Sequence, residues 1–169
     1  PGHPCIVFEG ETLSYDAVVA LARRWEVGLR GTGIVAGDRV AVFLENSLDF
    51  VGAYLGTQLA GATVVLVNTQ YRQVELRHIL EDSGARACVA DGARLGDLAR
   101  VVLDVPALAV IVAVGEVPPD HGIVGPVVVA AEAMSSGDVD AGPLRLPDAD
   151  AIAVIGYTSG TTGRSKGAM

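Results

Sequence analysis

Ten consecutive residues concentrate the side chains of this sequence that could bind a chain of phosphates. They are Thr158, Ser159, Gly160, Thr161, Thr162, Gly163, Arg164, Ser165, Lys166 and Gly167. Glycines tolerate positive φ and let the backbone come close to a ligand. Successive backbone N–H groups can then converge on anionic oxygens as a nest. The hydroxyls add small donors, and Lys166 adds a mobile positive charge. Lys166 is the only lysine; the rest of the 12 basic residues are Arg. An apolar run over 151–156 leads straight into the loop. The ends of buried strands are where open α/β sheets bind ligands. A Gly/Thr linker between domains would not be the continuation of a buried strand. The order of parts also differs from the G-x-x-x-x-G-K-S/T loop of P-loop NTPases, because Lys166 follows Ser165 and precedes Gly167.

Composition narrows the partners. The 169 residues carry 20 acidic and 12 basic side chains, a formal charge of −8. Such a chain has no global attraction for nucleic acid or an anionic membrane, so any anion must be held by local geometry. Half the residues are hydrophobic, which is a globular composition. No apolar run is long enough to span a bilayer. Cys5 and Cys88 are far apart and form no CxxC pair, which points to a reducing compartment and away from zinc. His3, His78 and His121 show no ligand spacing, so no metal site is expected.

The elements that must position the loop follow from periodicity. Apolar residues flanking Glu9-Gly10 predict a hairpin, and Ser14 is placed to cap a helix. Tyr15, Val18, Ala22, Trp25 and Leu29 predict its buried stripe, with Gly31 and Gly33 at its end. Residues 39–44 read as a buried strand. Ser47 caps a second helix over 48–60, with Phe50, Val51, Tyr54, Leu55 and Leu59 inward. A β-branched central strand over 62–67 follows. Then come a helix over 74–83 stopped by Gly84, a strand over 86–90, a helix over 93–103 and a strand over 108–114. Residues 115–147, rich in Pro and Gly, read as a surface connection with a short strand at 127–129 and a helical turn at 130–134. Strands alternating with helices predict an open, mostly parallel α/β sheet with flanking helices.

The loop carries a resemblance. Ser159-Gly160-Thr161-Thr162-Gly163 and Lys166-Gly167, preceded by Tyr157-Thr158, resemble the phosphate loop of the adenylate-forming superfamily. That superfamily includes acyl-CoA synthetases, firefly-type luciferases and the adenylation domains of peptide synthetases. Ser165 stands where the family usually has Pro, which restores a backbone donor and removes a φ restraint. The likeness extends to Glu11-Thr12-Leu13-Ser14-Tyr15, Gly37-Asp38-Arg39-Val40-Ala41 and Glu45-Asn46-Ser47. It continues through Gly61-Ala62, Val67-Asn68-Thr69, Glu75-Leu76 and His78-Ile79-Leu80-Glu81-Asp82-Ser83. It is poorest over 115–147.

The resemblance implies that residues 1–169 are the N-terminal portion of an AMP-binding domain, the large domain of an adenylate-forming enzyme. The rest of that domain and a mobile C-terminal domain would lie beyond Met169. It implies a cytoplasmic ATP-dependent acyl-CoA synthetase. ATP and a carboxylic acid give an acyl-adenylate and pyrophosphate; coenzyme A then takes the acyl group and AMP leaves. Thr158, Ser159, Gly160, Thr161, Thr162, Gly163, Lys166 and Gly167 would hold the ATP phosphates, with Thr161, Thr162 and Lys166 as main side-chain contacts and Mg2+ sharing the charge. No catalytic residue is expected within this portion. It should therefore be inactive alone and inclined to self-associate through apolar surface. Alternatives are a peptide-synthetase adenylation domain, an acyl-carrier-protein loading enzyme, or a non-catalytic relative.

Other features carry less. Gly31-x-Gly33-x-x-Ala36 follows a helix and leads into a strand, the reverse of a dinucleotide fingerprint. Asp148 and Asp150 read as solvated loop residues. Glu75, Glu81, Asp82, Arg72, Arg77 and Arg86 read as ordinary exposed charges, and Tyr71-Arg72 as structural.

Overall fold

A computed structural model describes residues 2–134, 143–144, 147–158 and 165–169. The chain opens with the antiparallel hairpin β1 (Pro4–Phe8) and β2 (Glu11–Ser14). Its turn has φ of 49° at Glu9 and 85° at Gly10, the double positive φ that suits a two-residue hairpin. The Ser14 hydroxyl then accepts from the Ala17 N–H at 3.2 Å and starts α1 (Tyr15–Gly31).

Strands and helices alternate from there: β3 (Arg39–Phe43), α2 (Leu48–Leu59), β4 (Thr63–Leu66), α3 (Gln73–Ser83), β5 (Ala87–Asp91), α4 (Leu95–Ala99) and β6 (Val110–Val114). Then come β7 (Val127–Ala130), α5 (Ala131–Met134), β8 (Val154–Thr158) and β9 (Lys166–Ala168). The main sheet runs β7-β6-β5-β3-β4-β8-β9. All its pairings are parallel except β8 with β9. The expected open, mostly parallel α/β sheet with flanking helices is therefore what the chain forms.

Side chains alternate across the sheet and build two cores. On one face Ala41, Phe43, Val65, Cys88 and Ile111 meet Leu76, Ile79 and Leu80 of α3 and Leu95 and Leu98 of α4. On the other, Val40, Val42, Val64, Val89 and Val112 meet Trp25 and Leu29 of α1 and Ala53 of α2. Strands buried on both faces read as continuous apolar runs, which is why they were visible in the sequence. Burial pushes the Cys88 thiol up to about 12, so it stays an inert thiol in the core.

Four expectations need correction. Tyr15 begins α1 but is 56% exposed; the buried stripe is Val18, Ala22, Trp25 and Leu29. In α2 the buried residues are Gly52, Ala53, Gly56 and Thr57, while Phe50, Val51, Tyr54, Leu55 and Leu59 are half-buried. The cause is Trp25: its side chain lies where a Cβ on Gly52 or Gly56 would go, so α1 and α2 approach through small residues. The helix expected over 93–103 is broken into a 3-10 turn (Gly92–Arg94), the short α4 and a second 3-10 turn (Val102–Asp104). Gly96 and the β-branched Val101-Val102 weaken helix propensity there. Finally, the strand expected over 151–156 starts later, as β8, and a further strand, β9, pairs with it.

Arg39 ties the two layers together. Its Nε donates to the Ser83 carbonyl at 2.9 Å and its Nη2 to the Gly84 carbonyl at 2.6 Å. These are orphan acceptors at the C-terminus of α3, where a cation is also favoured by the helix dipole. Gly84 ends the helix at φ 60°, ψ 42°. The first residue of β3 thus fixes where α3 lies across the sheet.

Candidate phosphate-binding site

All strands of the parallel set point the same way, so their C-terminal ends form one edge. Phe43 closes β3, Asp91 closes β5 and Thr158 closes β8 on that edge. β8 reaches it from a firm docking on β4. The Thr63 hydroxyl donates to the Ile152 carbonyl at 2.8 Å, and the Val64 N–H to the Ala153 carbonyl at 3.0 Å.

The chain returns from the edge as β9, in antiparallel register. Gly156 faces Ala168, Tyr157 faces Gly167 and Thr158 faces Lys166. Thr158 and Lys166, eight residues apart in sequence, are thereby cross-strand partners, with side chains on one face of the sheet. Both are exposed. Ser159, Gly160, Thr161, Thr162 and Gly163, also predicted to hold phosphates, lie outside the described residues.

The other face of the hairpin is held by α3. The Tyr157 hydroxyl donates to the Asp82 carboxylate at 2.7 Å. Nε2 of His78 is 2.9 Å from the carbonyl oxygen of Ser165. His78 and Tyr157 also meet edge to face, with centroids 6.2 Å apart. Burial first, then the hydrogen bond and charge of Asp82, push the Tyr157 phenol well above its usual range, so it remains a donor. Gly167 lies opposite Tyr157. A Cβ there would be 2.9 Å from Ile155 Cγ2 and 3.3 Å from the tyrosine ring. Gly167, expected to face phosphate, therefore has a packing reason to be glycine: it leaves room for the ring that reaches Asp82.

His78, Asp82 and Tyr157, none of them expected among the phosphate-binding residues, flank the hairpin. Asp82, expected as an ordinary exposed charge, is exposed and also accepts from Tyr157. The signal was present in the spacing: His78 and Asp82 are four apart, so they share one face of α3. Nothing in the sequence alone said which strand that face would meet. The other set-aside residues behave as expected. Glu75 accepts from the Arg72 N–H at 3.2 Å, Arg77 pairs with Asp104 and Arg86 with Asp38, and Asp148 and Asp150 are exposed.

The same edge holds a polar cleft of about 400 Å³ lined by Thr69, Tyr71, Arg72, Arg94, Asp97 and Arg100, among others. Arg94 lies 4.7 Å over the Phe43 ring and donates to the Thr69 carbonyl at 3.0 Å. Three arginines and one carboxylate, Asp97, line it, so the cleft is locally positive in an acidic chain. Among the described residues no three of His, Cys, Asp and Glu gather where they could hold a metal ion. A magnesium ion here would take phosphate oxygens and water as ligands, the usual habit of that ion. Among the same residues no helix is long and apolar enough to cross a membrane.

Comparison with known proteins agrees with this geometry. The chain is 32% identical over 158 residues to a 4-hydroxybenzoate–CoA/benzoate–CoA ligase of Rhodopseudomonas palustris, covering 94% of this chain and 28% of that protein. It is 32% identical over 171 residues to the fatty acid–acyl-carrier-protein ligase ScoC of Streptomyces coeruleorubidus, covering all of this chain and 30% of that protein. Among solved structures, the apo structure of Mycobacterium smegmatis MbtA superposes with a TM-score of 0.81 at 26% identity, over 99% of this chain and 30% of that one. The chain thus spans under a third of the length of the relatives it matches. A family model described as AMP-binding enzyme matches residues 1–169, and with the shared fold and the strand-end loop this places the chain in the AMP-binding enzyme family.

Proposed function

We propose that residues 1–169 form the phosphate-binding N-terminal part of an AMP-forming acyl-CoA synthetase. The observation that carries this reading is the position of the sole lysine. Lys166 is held opposite Thr158 at the C-terminal edge of a parallel sheet, where both side chains are free to meet a ligand. In the reaction, a carboxylate oxygen attacks the α-phosphorus of ATP and pyrophosphate leaves. Coenzyme A sulfur then attacks the acyl carbonyl and AMP leaves. Charge builds on the pyrophosphate oxygens in the first step, and a fixed cation beside them lowers that barrier. The chain's own contribution is to bind and orient that leaving group. Thr158, Lys166 and Gly167 would do so together with Ser159, Gly160, Thr161, Thr162 and Gly163. The arginine-rich cleft on the same edge suits further anionic parts of the substrates.

The relatives support the ligase class, and one of them supports a second acceptor. ScoC is a carrier-protein ligase, so transfer to a carrier protein instead of coenzyme A is the alternative for the second step. Both readings share the first step and a cytoplasmic setting. Because the matched relatives extend far beyond this stretch, residues 1–169 alone should turn over no ATP with any acid.

The test is Lys166→Ala in the full-length protein, read by acid-dependent ATP–pyrophosphate exchange. Exchange should fall by about a hundredfold, the usual cost of removing one transition-state charge contact. Wild-type protein that shows no exchange with any carboxylate would overturn the reading, as would a Lys166→Ala variant with unchanged exchange. Supplying coenzyme A or a carrier protein then separates the two acceptors.

A further inference from the structure

We propose that His78 and Asp82 of α3 are positioning residues that set the β8–β9 register and so hold Lys166 opposite Thr158. The inference rests on the phosphate-binding reading above and adds to it a pair of groups that touch no substrate.

β9 has few other contacts to hold it in place among the described residues. The strand is three residues long and all three are exposed. Among the described residues it has one neighbour, β8, and lies at the edge of the sheet. Its residues are Lys, Gly and Ala, which are weak strand formers. Among the described residues, packing bears on its register chiefly through Gly167, whose missing Cβ leaves room for Ile155 and the Tyr157 ring, and registers of short polar strands slip easily. A slip of one residue would carry the Lys166 side chain to the other face, against α3 and away from Thr158.

Two polar contacts oppose that slip, one on β8 and one just ahead of β9. Tyr157 is anchored through its hydroxyl to Asp82 at 2.7 Å. Ser165, the residue before Lys166, is anchored through its carbonyl to His78 at 2.9 Å. The two anchors lie one helical turn apart on α3, and α3 is itself fixed to β3 through Arg39. The His78 ring also packs edge-on against Tyr157, which couples the two contacts. The clasp sits on one face of the hairpin, and Thr158 and Lys166 emerge on the other. The pair is therefore positioned without the clasp occupying ligand space.

The experiment uses the full-length protein with His78→Phe, Asp82→Ala and Tyr157→Phe, and the conservative variants His78→Gln and Asp82→Asn. Two readouts are taken: KM for ATP and for the acid in pyrophosphate exchange, and backbone amide exchange at residues 154–158 and 165–169. His78→Phe and Asp82→Ala should raise KM for ATP about tenfold, the factor that one hydrogen bond to a charged or buried group is worth. KM for the acid should stay within about twofold, and the β8–β9 amides should exchange faster. His78→Gln keeps an N–H donor and Asp82→Asn keeps an acceptor, so each should recover most of the loss. Asp82→Ala and Tyr157→Phe should be non-additive, because they remove the same bond. Unchanged β8–β9 amide exchange in His78→Phe and Asp82→Ala would overturn the proposal. So would conservative variants as damaged as the severe ones, or equal rises in KM for both substrates. If the wild-type protein catalyses no pyrophosphate exchange, the functional reading falls, and the amide-exchange arm still decides whether the clasp sets the register.

Discussion

In β6 the first four of five residues are buried, and both faces of the strand are packed; in β8 no residue is fully buried, and β9 is exposed throughout. The two regions lie in one sheet yet are determined differently. Around β6, apolar surface removed from water chooses the structure, at roughly 25 cal/mol per Å². At the hairpin there is little such surface to remove. Its geometry depends on a few directional contacts from a neighbouring helix. Regions of the first kind tolerate no change of shape, and regions of the second kind can be re-aimed by one side chain. A ligand loop is better placed on the second, where backbone groups remain open to a ligand.

Truncating a matched pair of side chains tests this contrast most severely. Ile111 in β6 is fully buried, and Ile155 in β8 is half-buried. Ile111→Ala should destabilise the protein by about 4 kcal/mol, since the vacated space cannot collapse. Ile155→Ala should cost about 1–2 kcal/mol, in proportion to the smaller buried area. Urea unfolding midpoints of the two variants decide the matter. Equal losses would mean that the hairpin is as firmly packed as the centre of the sheet, and the contrast would fail.

A second comparison concerns glycines in the helices. At Gly56 an added Cβ would overlap the Trp25 side chain and stand 2.8 Å from the Glu26 nitrogen and 2.9 Å from the Ala22 oxygen. Two of those are backbone atoms and cannot swing aside. Alanine gains about 1 kcal/mol of helix propensity over glycine, but overpacking typically costs about 1–3 kcal/mol, and here backbone must move. Gly56→Ala should therefore destabilise by about 2 kcal/mol net. Gly31, the last residue of α1, has nothing within 4 Å of the same added atom. Gly31→Ala should instead stabilise by about 0.5 kcal/mol. Thermal unfolding of the two variants should shift in opposite directions, and a Gly56→Ala variant stabilised like Gly31→Ala would show that α1 and α2 are not in close contact.

The same contrast explains what could be read in advance. The run of parallel strands was legible because a strand buried on both faces must be apolar throughout, as Val40, Ala41, Val42 and Phe43 are. The capping roles of Ser14 and Ser47 were legible because a hydroxyl ahead of an apolar stripe has one obvious use. The inward face of α2 was misread because size was taken as the guide to burial. Trp25, in the preceding helix, needed the small residues Gly52 and Gly56 instead. At the site, the strand-end position of the loop was legible from the apolar run before it. The pairing of Thr158 with Lys166 was not, because β9 carries no strand pattern of its own. Asp82 and Tyr157 are 75 residues apart in sequence. Only the crossing of α3 over the sheet brings them together.

The smallest effect expected lies on the C-terminal edge of the sheet, whose two sides differ in charge. At β8 and β9 that edge presents Lys166. At β5, α2 and α5 it presents Asp91, Asp49 and Glu132. Asp49 sits in the first turn of α2, where the helix dipole favours a carboxylate. Burial first, then the charges of Glu132 and Asp91, nevertheless raise its pKa above 3.8, so those effects outweigh the dipole. The folded state then binds the Asp49 proton more tightly than the unfolded state does. Stability attributable to this group is highest at acid pH and falls as pH rises from about 3.8 through the raised value, levelling off above it. Asp49→Asn removes that penalty. The variant should gain up to about 0.5 kcal/mol over wild type at pH 7, and less at pH 4. Thermal midpoints at the two pH values measure the difference. A larger gain at pH 4 than at pH 7 would mean that the charged form of Asp49 is favoured in the folded protein. The helix dipole would then outweigh burial at this edge, and its acidic side would resist the approach of anions less than its composition suggests.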